Sequence, residues 1–227
     1  MATEAPLDAM ILGDSHAVAL KAGCDKLGLR TGMLSISGNL WHAGFVRFHR
    51  RKGMVGRATA QRRINEFKQN QRFEIVPPSG LPVIATLGFH LGRVVPMFAL
   101  DGHRTDEAEF QADPAHQYVS RGMLRAYIIA FRRQHIEFLT RLAQMTPTLV
   151  VAPPFFWQAG NAADFTTEIL AMMSEAGLAT LNPCAELYGA GVALPEEYRT
   201  ADGIHGNAEY GAQAVDLVLR SGFLNRP

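Results

Sequence analysis

Five short apolar runs, separated by stretches that mostly leave room for a helix, constrain this chain more than any other feature. They are Asp8–Gly13, Gly32–Ser37, Pro82–Leu87, Thr148–Ala152 and Leu178–Leu181. Short, nearly continuous apolar runs that end at glycine or proline are expected of strands buried on both faces. Between and after them lie segments with helical spacing: His16–Leu27, Thr59–Asn70, Val119–Met145, Ala163–Ala176 and Asn207–Leu219. The stretch from Val94 to Ala115 is less regular and reads as loop with a short helix. Strands separated by helices pair in parallel through right-handed crossovers. The expectation is therefore an α/β chain, a three-layer α/β/α sandwich around a central parallel sheet of about five strands. No internal repeat or low-complexity linker divides it, so residues 1–227 read as one domain. In such a sheet functional residues collect beyond the carboxyl ends of the strands.

Composition narrows the class. Hydrophobic residues make up 48% of the chain and charged ones 19%, which suits a buried core and argues against disorder. No apolar run approaches the ~20 residues that span a bilayer. Met1-Ala2-Thr3-Glu4 opens without the basic and apolar stretches of a secretory signal, so the expected location is cytoplasmic, with no membrane partner. Cys24 and Cys184 are too few for a disulfide framework or a thiolate metal site. They read as structural thiols, although a single bridge between them stays open.

The net charge of +1 is unevenly spread. Between Phe45 and Phe73, nine Lys/Arg (Arg47, Arg50, Arg51, Lys52, Arg57, Arg62, Arg63, Lys68, Arg72) face one acid, Glu66. Such a block either attracts an acidic partner or is a solvated face that pairs with acids elsewhere, the plainer of the two. It carries no zinc-finger or RNP-type pattern, so no nucleic acid is expected.

Two motifs carry chemistry. Ile11-Leu12-Gly13-Asp14-Ser15-His16 runs a strand end into a helix and sets Ser15 at the helix amino terminus. There it either caps the helix or serves as a nucleophile beside backbone N–H groups able to hold an oxyanion. Asp202-Gly203-Ile204-His205-Gly206-Asn207 places an acid and a histidine three positions apart, before the final helix. An imidazole with an ordinary pKa of about 6.5 suits the removal of a serine proton. A carboxylate at Asp202 can fix its tautomer. Each motif alone loses to an ordinary turn; together, at opposite ends of one α/β chain, they favour a catalytic reading. Asp14 is expected to hold the turn through hydrogen bonds.

The chain resembles the SGNH (GDSL-type) hydrolase superfamily, which carries its serine in an amino-terminal G-D-S motif and its acid and base as D-x-x-H near the carboxyl terminus. The resemblance implies a flavodoxin-like fold, with Ser15, Asp202 and His205 as catalytic residues. It also implies oxyanion donors at the serine N–H, at a glycine after the second strand and at an asparagine after the third. Gly38, in Ser37-Gly38-Asn39, fits the glycine. The third element departs: where the family has G-x-N, this chain has Gly88-Phe89-His90. Either His90 donates instead, or Asn39 swings in, or the donor is missing, at a cost of about 10²–10³ in turnover.

The other residues are less specific. His42, His49, His103 and His116 show no ligand spacing, and neither a metal nor a cofactor is expected. His16 lines the pocket or packs inward. Phe155-Phe156-Trp157, like Trp41 and Phe45, reads as a substrate platform or as packing, and Met172-Met173 as core. The expected activity is hydrolysis of a carboxylic ester through an acyl-enzyme, on a small-molecule or carbohydrate substrate. Three alternatives stand beside it: transfer of an acyl group to a sugar hydroxyl, a non-catalytic binding or regulatory protein on a degenerate scaffold, and a nucleotide-binding domain. The last lacks a glycine-rich phosphate loop after the first strand.

Overall fold

The computed structural model describes residues 6–89, 103–112, 117–156 and 160–224. Its central sheet is built from β1 (Ala9–Gly13), β2 (Thr31–Ser35), β5 (Val83–Thr86), β8 (Thr148–Val151) and β9 (Ala179–Leu181), and every pairing is parallel. The strand order is β2-β1-β5-β8-β9. All five lie where apolar runs stand in the sequence.

Period-two alternation divides the inner strands between two cores. Met10 and Leu12 of β1, Val83 and Ala85 of β5, and Val150 of β8 face one cluster. That cluster is covered by α3 (Ala58–Gln71), α5 (Arg121–Ala143) and α6 (Gly160–Glu175), through Ile64, Phe67, Ile128, Phe138, Ile169 and Met173. Ala9 and Ile11, Ile84, and Leu149 and Val151 face the other cluster. There α1 (Ala17–Lys26) and α8 (Ala208–Arg220) supply Leu20, Cys24, Ala214, Val215 and Val218. Residues of the inner strands β1, β5 and β8 are buried from both sides, which is why these strands read as unbroken apolar runs. Each fully buried aliphatic side chain contributes about 1.5–3 kcal/mol.

The helices α1 and α8 approach unusually closely. A Cβ added at Gly211 would lie 2.7 Å from the Ala19 carbonyl carbon, and one at Gly23 would lie 2.6 Å from the Ala212 nitrogen. Only glycine permits that approach, and an ion pair between Lys26 and Glu209 crosses the same interface. The two helices begin just after the two sequence motifs, so their contact bears directly on the site.

Several elements are absent from the sequence reading. A short helix α2 (Gly38–His42) follows β2, and an antiparallel hairpin, β3 (Val46–His49) with β4 (Gly53–Gly56), occupies the first half of the basic segment. Helix α7 (Pro183–Tyr188) follows β9, capped by Asn182, whose Oδ1 accepts from the Ala185 N–H at 3.2 Å. In the irregular region, β6 (His103–Arg104) pairs with β7 (Gln117–Tyr118), and α4 (Glu107–Ala112) lies between them.

Among the described residues the basic segment does not pair with acids elsewhere, as its plainer reading supposed. Arg62 and Arg63 meet only Glu66, and among the described residues the other seven cations make no ion pair. Cys24 and Cys184 are both buried free thiols, so no bridge joins them. Burial pushes the Cys24 thiol up to about 11. Among the described residues no helix is long and apolar enough to cross a membrane.

Candidate active site

The strand order reverses direction between β1 and β5, and open parallel sheets hold their ligands at such a crevice. Ser15 lies two residues beyond the end of β1, on that rim. Gly13, the last residue of β1, pairs with Ser35 and Thr86. A Cβ there would stand 2.9 Å from the Thr86 carbonyl oxygen and 3.1 Å from the Ala17 Cβ, so a side chain would push β5 or α1 away. Asp14 is buried. Its carboxylate accepts from the His16 N–H at 3.1 Å, and its carbonyl accepts from the Ser35 hydroxyl at 2.9 Å. The turn is thereby tied to β2, in the holding role expected of Asp14.

The structure brings Ser15, His205 and Asp202 together. The Ser15 Oγ lies 2.7 Å from the His205 Nε2, and the His205 Nδ1 lies 2.8 Å from the Asp202 Oδ2. Ser15 does not cap α1; that position falls to His16, which makes no side-chain cap bond. The other carboxylate oxygen of Asp202 accepts from the Thr200 hydroxyl at 2.6 Å and from the Ile204 N–H at 2.9 Å. These two bonds, Thr200 first, together with the His205 contact, hold Asp202 well below the usual carboxylate range. An ionised carboxylate can only accept, so the Nδ1 of His205 must carry a proton. In the neutral ring, Nε2 is then free to accept the Ser15 hydroxyl proton.

The loop is fixed at both ends. The Thr200 N–H donates to the His205 carbonyl at 2.9 Å, and Arg199 forms a β-bridge with Gly206. Asn207 caps α8, its Oδ1 accepting from the Glu209 and Tyr210 N–H groups at 3.0 and 3.1 Å. Its Nδ2 donates to the Glu197 carbonyl at 2.8 Å, which joins the cap to the turn Glu196–Tyr198.

Gly38 opens α2, close beyond the end of β2 and half-buried; Asn39 follows it and is exposed. No side chain caps this short helix. First-turn N–H groups have no partner within a helix, so the corner can donate to an oxyanion. Packing holds α2 in place. Trp41 is buried edge-on against Phe138 at 5.2 Å, and His42 meets His135 at 5.2 Å. The fully buried Arg132 approaches His42 Nδ1 at 3.4 Å. Trp41 is thus packing, and burial lowers the Arg132 guanidinium to about 10. His90 lies outside the described residues, as do Trp157 and His116.

No protein-family model matches the chain, and neither does any curated protein.

One residue to which the motifs gave no role adjoins the triad, and two more join it in a chain of ring contacts. The His16 ring lies 4.9 Å from that of His205 and stacks on Phe156 at 6.3 Å with a 22° interplanar angle. The Arg199 guanidinium sits 5.9 Å from the centroid of the same Phe156 ring. Neighbourhood in sequence pointed to His16, and the aromatic cluster to Phe156; nothing pointed to Arg199. Phe155 and Phe156 both pack, partly buried, against the core beneath α8. Among the described residues no three His, Cys, Asp or Glu side chains converge as a metal site needs.

Proposed function

We propose that this protein is a serine hydrolase of carboxylic esters, of the kind the SGNH resemblance implies, acting through an acyl-enzyme. One observation carries the reading. Two residues 190 positions apart meet at 2.7 Å as hydroxyl and imidazole, and a carboxylate lies behind the imidazole. A serine capping a helix needs neither partner.

In the proposed mechanism the Ser15 hydroxyl passes its proton to the His205 Nε2 as Oγ attacks the ester carbonyl carbon. The carbonyl oxygen becomes an oxyanion facing the N–H groups of Ser15 and Gly38. Collapse breaks the bond to the leaving oxygen, which takes the proton from Nε2 and departs as alcohol. Water repeats the sequence: its proton goes to Nε2, its oxygen to the acyl carbon, and Nε2 returns a proton to Oγ as the acid leaves. Asp202 stays charged throughout and stabilises the imidazolium. It is half-exposed, so solvent screens part of that effect.

An O-acyl group on a carbohydrate is the substrate class we favour, with the cytoplasm as the site of action. The test is turnover of a short-chain nitrophenyl ester by the chain and by Ser15→Ala. Hydrolysis that disappears in the variant supports the reading. Hydrolysis absent from both, or unchanged by the substitution, favours a non-catalytic binding protein on the same scaffold.

A further inference from the structure

We propose that Arg199 selects the substrate, and that the ester cleaved at Ser15 carries an anionic oxygen group, in the simplest case a carboxylate. This rests on the ester-hydrolase reading and specifies its substrate class.

Arg199 belongs to the loop that presents the catalytic pair. Its backbone bridges Gly206, the neighbour of His205, and the next residue, Thr200, bonds Asp202. Its side chain is held at two points. The Nε donates to the Leu194 carbonyl at 2.7 Å, and the guanidinium lies 5.9 Å from the centroid of Phe156. Phe156 also stacks on His16, whose ring contacts that of His205. One aromatic ring therefore links the guanidinium to a residue touching the catalytic base.

A guanidinium presents five N–H donors and is charged at any physiological pH. Here one donor is used. Among the described residues the remaining four find no acceptor, and Arg199 forms no ion pair with a carboxylate. It is half-buried, so the loop that presents the catalytic pair holds a cation that, among the described residues, meets no carboxylate. An arginine that merely braced two loops would need only the Leu194 bond and the ring. A guanidinium held at two points, with N–H groups left over, suits bidentate recognition of an anion. O-acyl esters of acidic sugars combine the two groups this site would engage.

The test compares two matched pairs. On the alcohol side, 4-acetoxybenzoate is set against 4-acetoxybenzamide; on the acyl side, 4-nitrophenyl hemiglutarate against its amide. Wild type is expected to favour the anionic member of at least one pair by about tenfold in kcat/KM at low salt. That preference should shrink toward unity in about 1 M salt. In Arg199→Gln the anionic ester should lose about tenfold more than the neutral one, and Arg199→Lys should recover part of the difference. Equal kcat/KM within both pairs for wild type overturns the proposal without any variant. An unchanged ratio in Arg199→Gln, with both esters falling together, also overturns it and makes Arg199 a brace. Absence of any Ser15-dependent turnover overturns the hydrolase reading, and this proposal with it.

Discussion

Replacing Gly211 by alanine sets two known effects against each other, and the structure decides which wins. Gly211 lies in the first turns of α8, where alanine is better than glycine by about 0.8–1.0 kcal/mol on helix propensity alone. Its added Cβ, however, would lie 2.7 Å from the Ala19 carbonyl carbon and 3.2 Å from the Gly23 nitrogen, where ordinary contact needs 3.4–4 Å. Those partners are backbone atoms and cannot rotate aside. Helix α8 must withdraw from α1 by about an ångström, and overpacking of this kind costs about 1–3 kcal/mol or more. A net loss of about 2 kcal/mol is expected, which lowers Tm by roughly 4–8 °C in a chain of this size. The same withdrawal carries His205 away from Ser15, and a misplacement of about 1 Å costs about 10²-fold in rate. Thermal unfolding followed by circular dichroism and nitrophenyl-ester turnover measure the two effects. Gly122→Ala, whose Cβ has no neighbour closer than 3.9 Å, is the control and should be neutral or slightly stabilising. A Gly211→Ala protein with undiminished Tm and full activity would show that the close helix contact does not set the distance between the two motifs.

Four further substitutions probe separate parts of the account. Asp202→Asn should lower kcat by about 10²–10³, less than for a buried triad carboxylate, because the side chain is 51% exposed. Thr200→Val removes the bond that contributes most to holding Asp202 ionised. A depressed carboxyl contributes above its unfolded value and loses that contribution only as pH falls through the folded one. The variant should therefore be less stable than wild type at neutral pH, and the gap should close as pH falls through the folded value of Asp202, read from urea unfolding against pH. Asn207→Ala removes the α8 cap and should cost about 1–2 kcal/mol in urea unfolding, with a larger KM or lower kcat because the His205 loop loosens. Glu168 is a buried carboxylate bridging Arg121 and Arg125 between α5 and α6. Glu168→Ala should cost about 1–2 kcal/mol, discounted because Arg121 is mostly exposed, and should leave ester turnover at saturating substrate unchanged.

The sheet was legible because burial on both faces removes the need for polar residues, so runs such as Met10-Ile11-Leu12 stand out from their surroundings. The hairpin was not. Val46 and Phe48 alternate inward with Arg47 and His49 outward, but four residues give too few periods, and the basic charges overlay them. Helix α2 is shorter than two turns and leaves no periodic trace. Helix α7 did carry a signal, an Asn182 cap followed by Pro183, which its brevity concealed. At the site, the pairing of Ser15 with Asp202 and His205 was readable from motif order. The α1–α8 contact through Gly23 and Gly211, which brings the motifs together, depends on two glycines that look ordinary in sequence. The stack of His16, Phe156 and Arg199 joins three loops, and no local pattern announces such a convergence.

The most direct measurement is labelling with a fluorophosphonate, followed by peptide mapping, in wild type and in His205→Ala. A serine activated by its imidazole neighbour should be modified at Ser15 alone, and the rate should fall by orders of magnitude without the histidine. Modification of some other residue, or equal labelling of Ser15 in both proteins, would contradict the account.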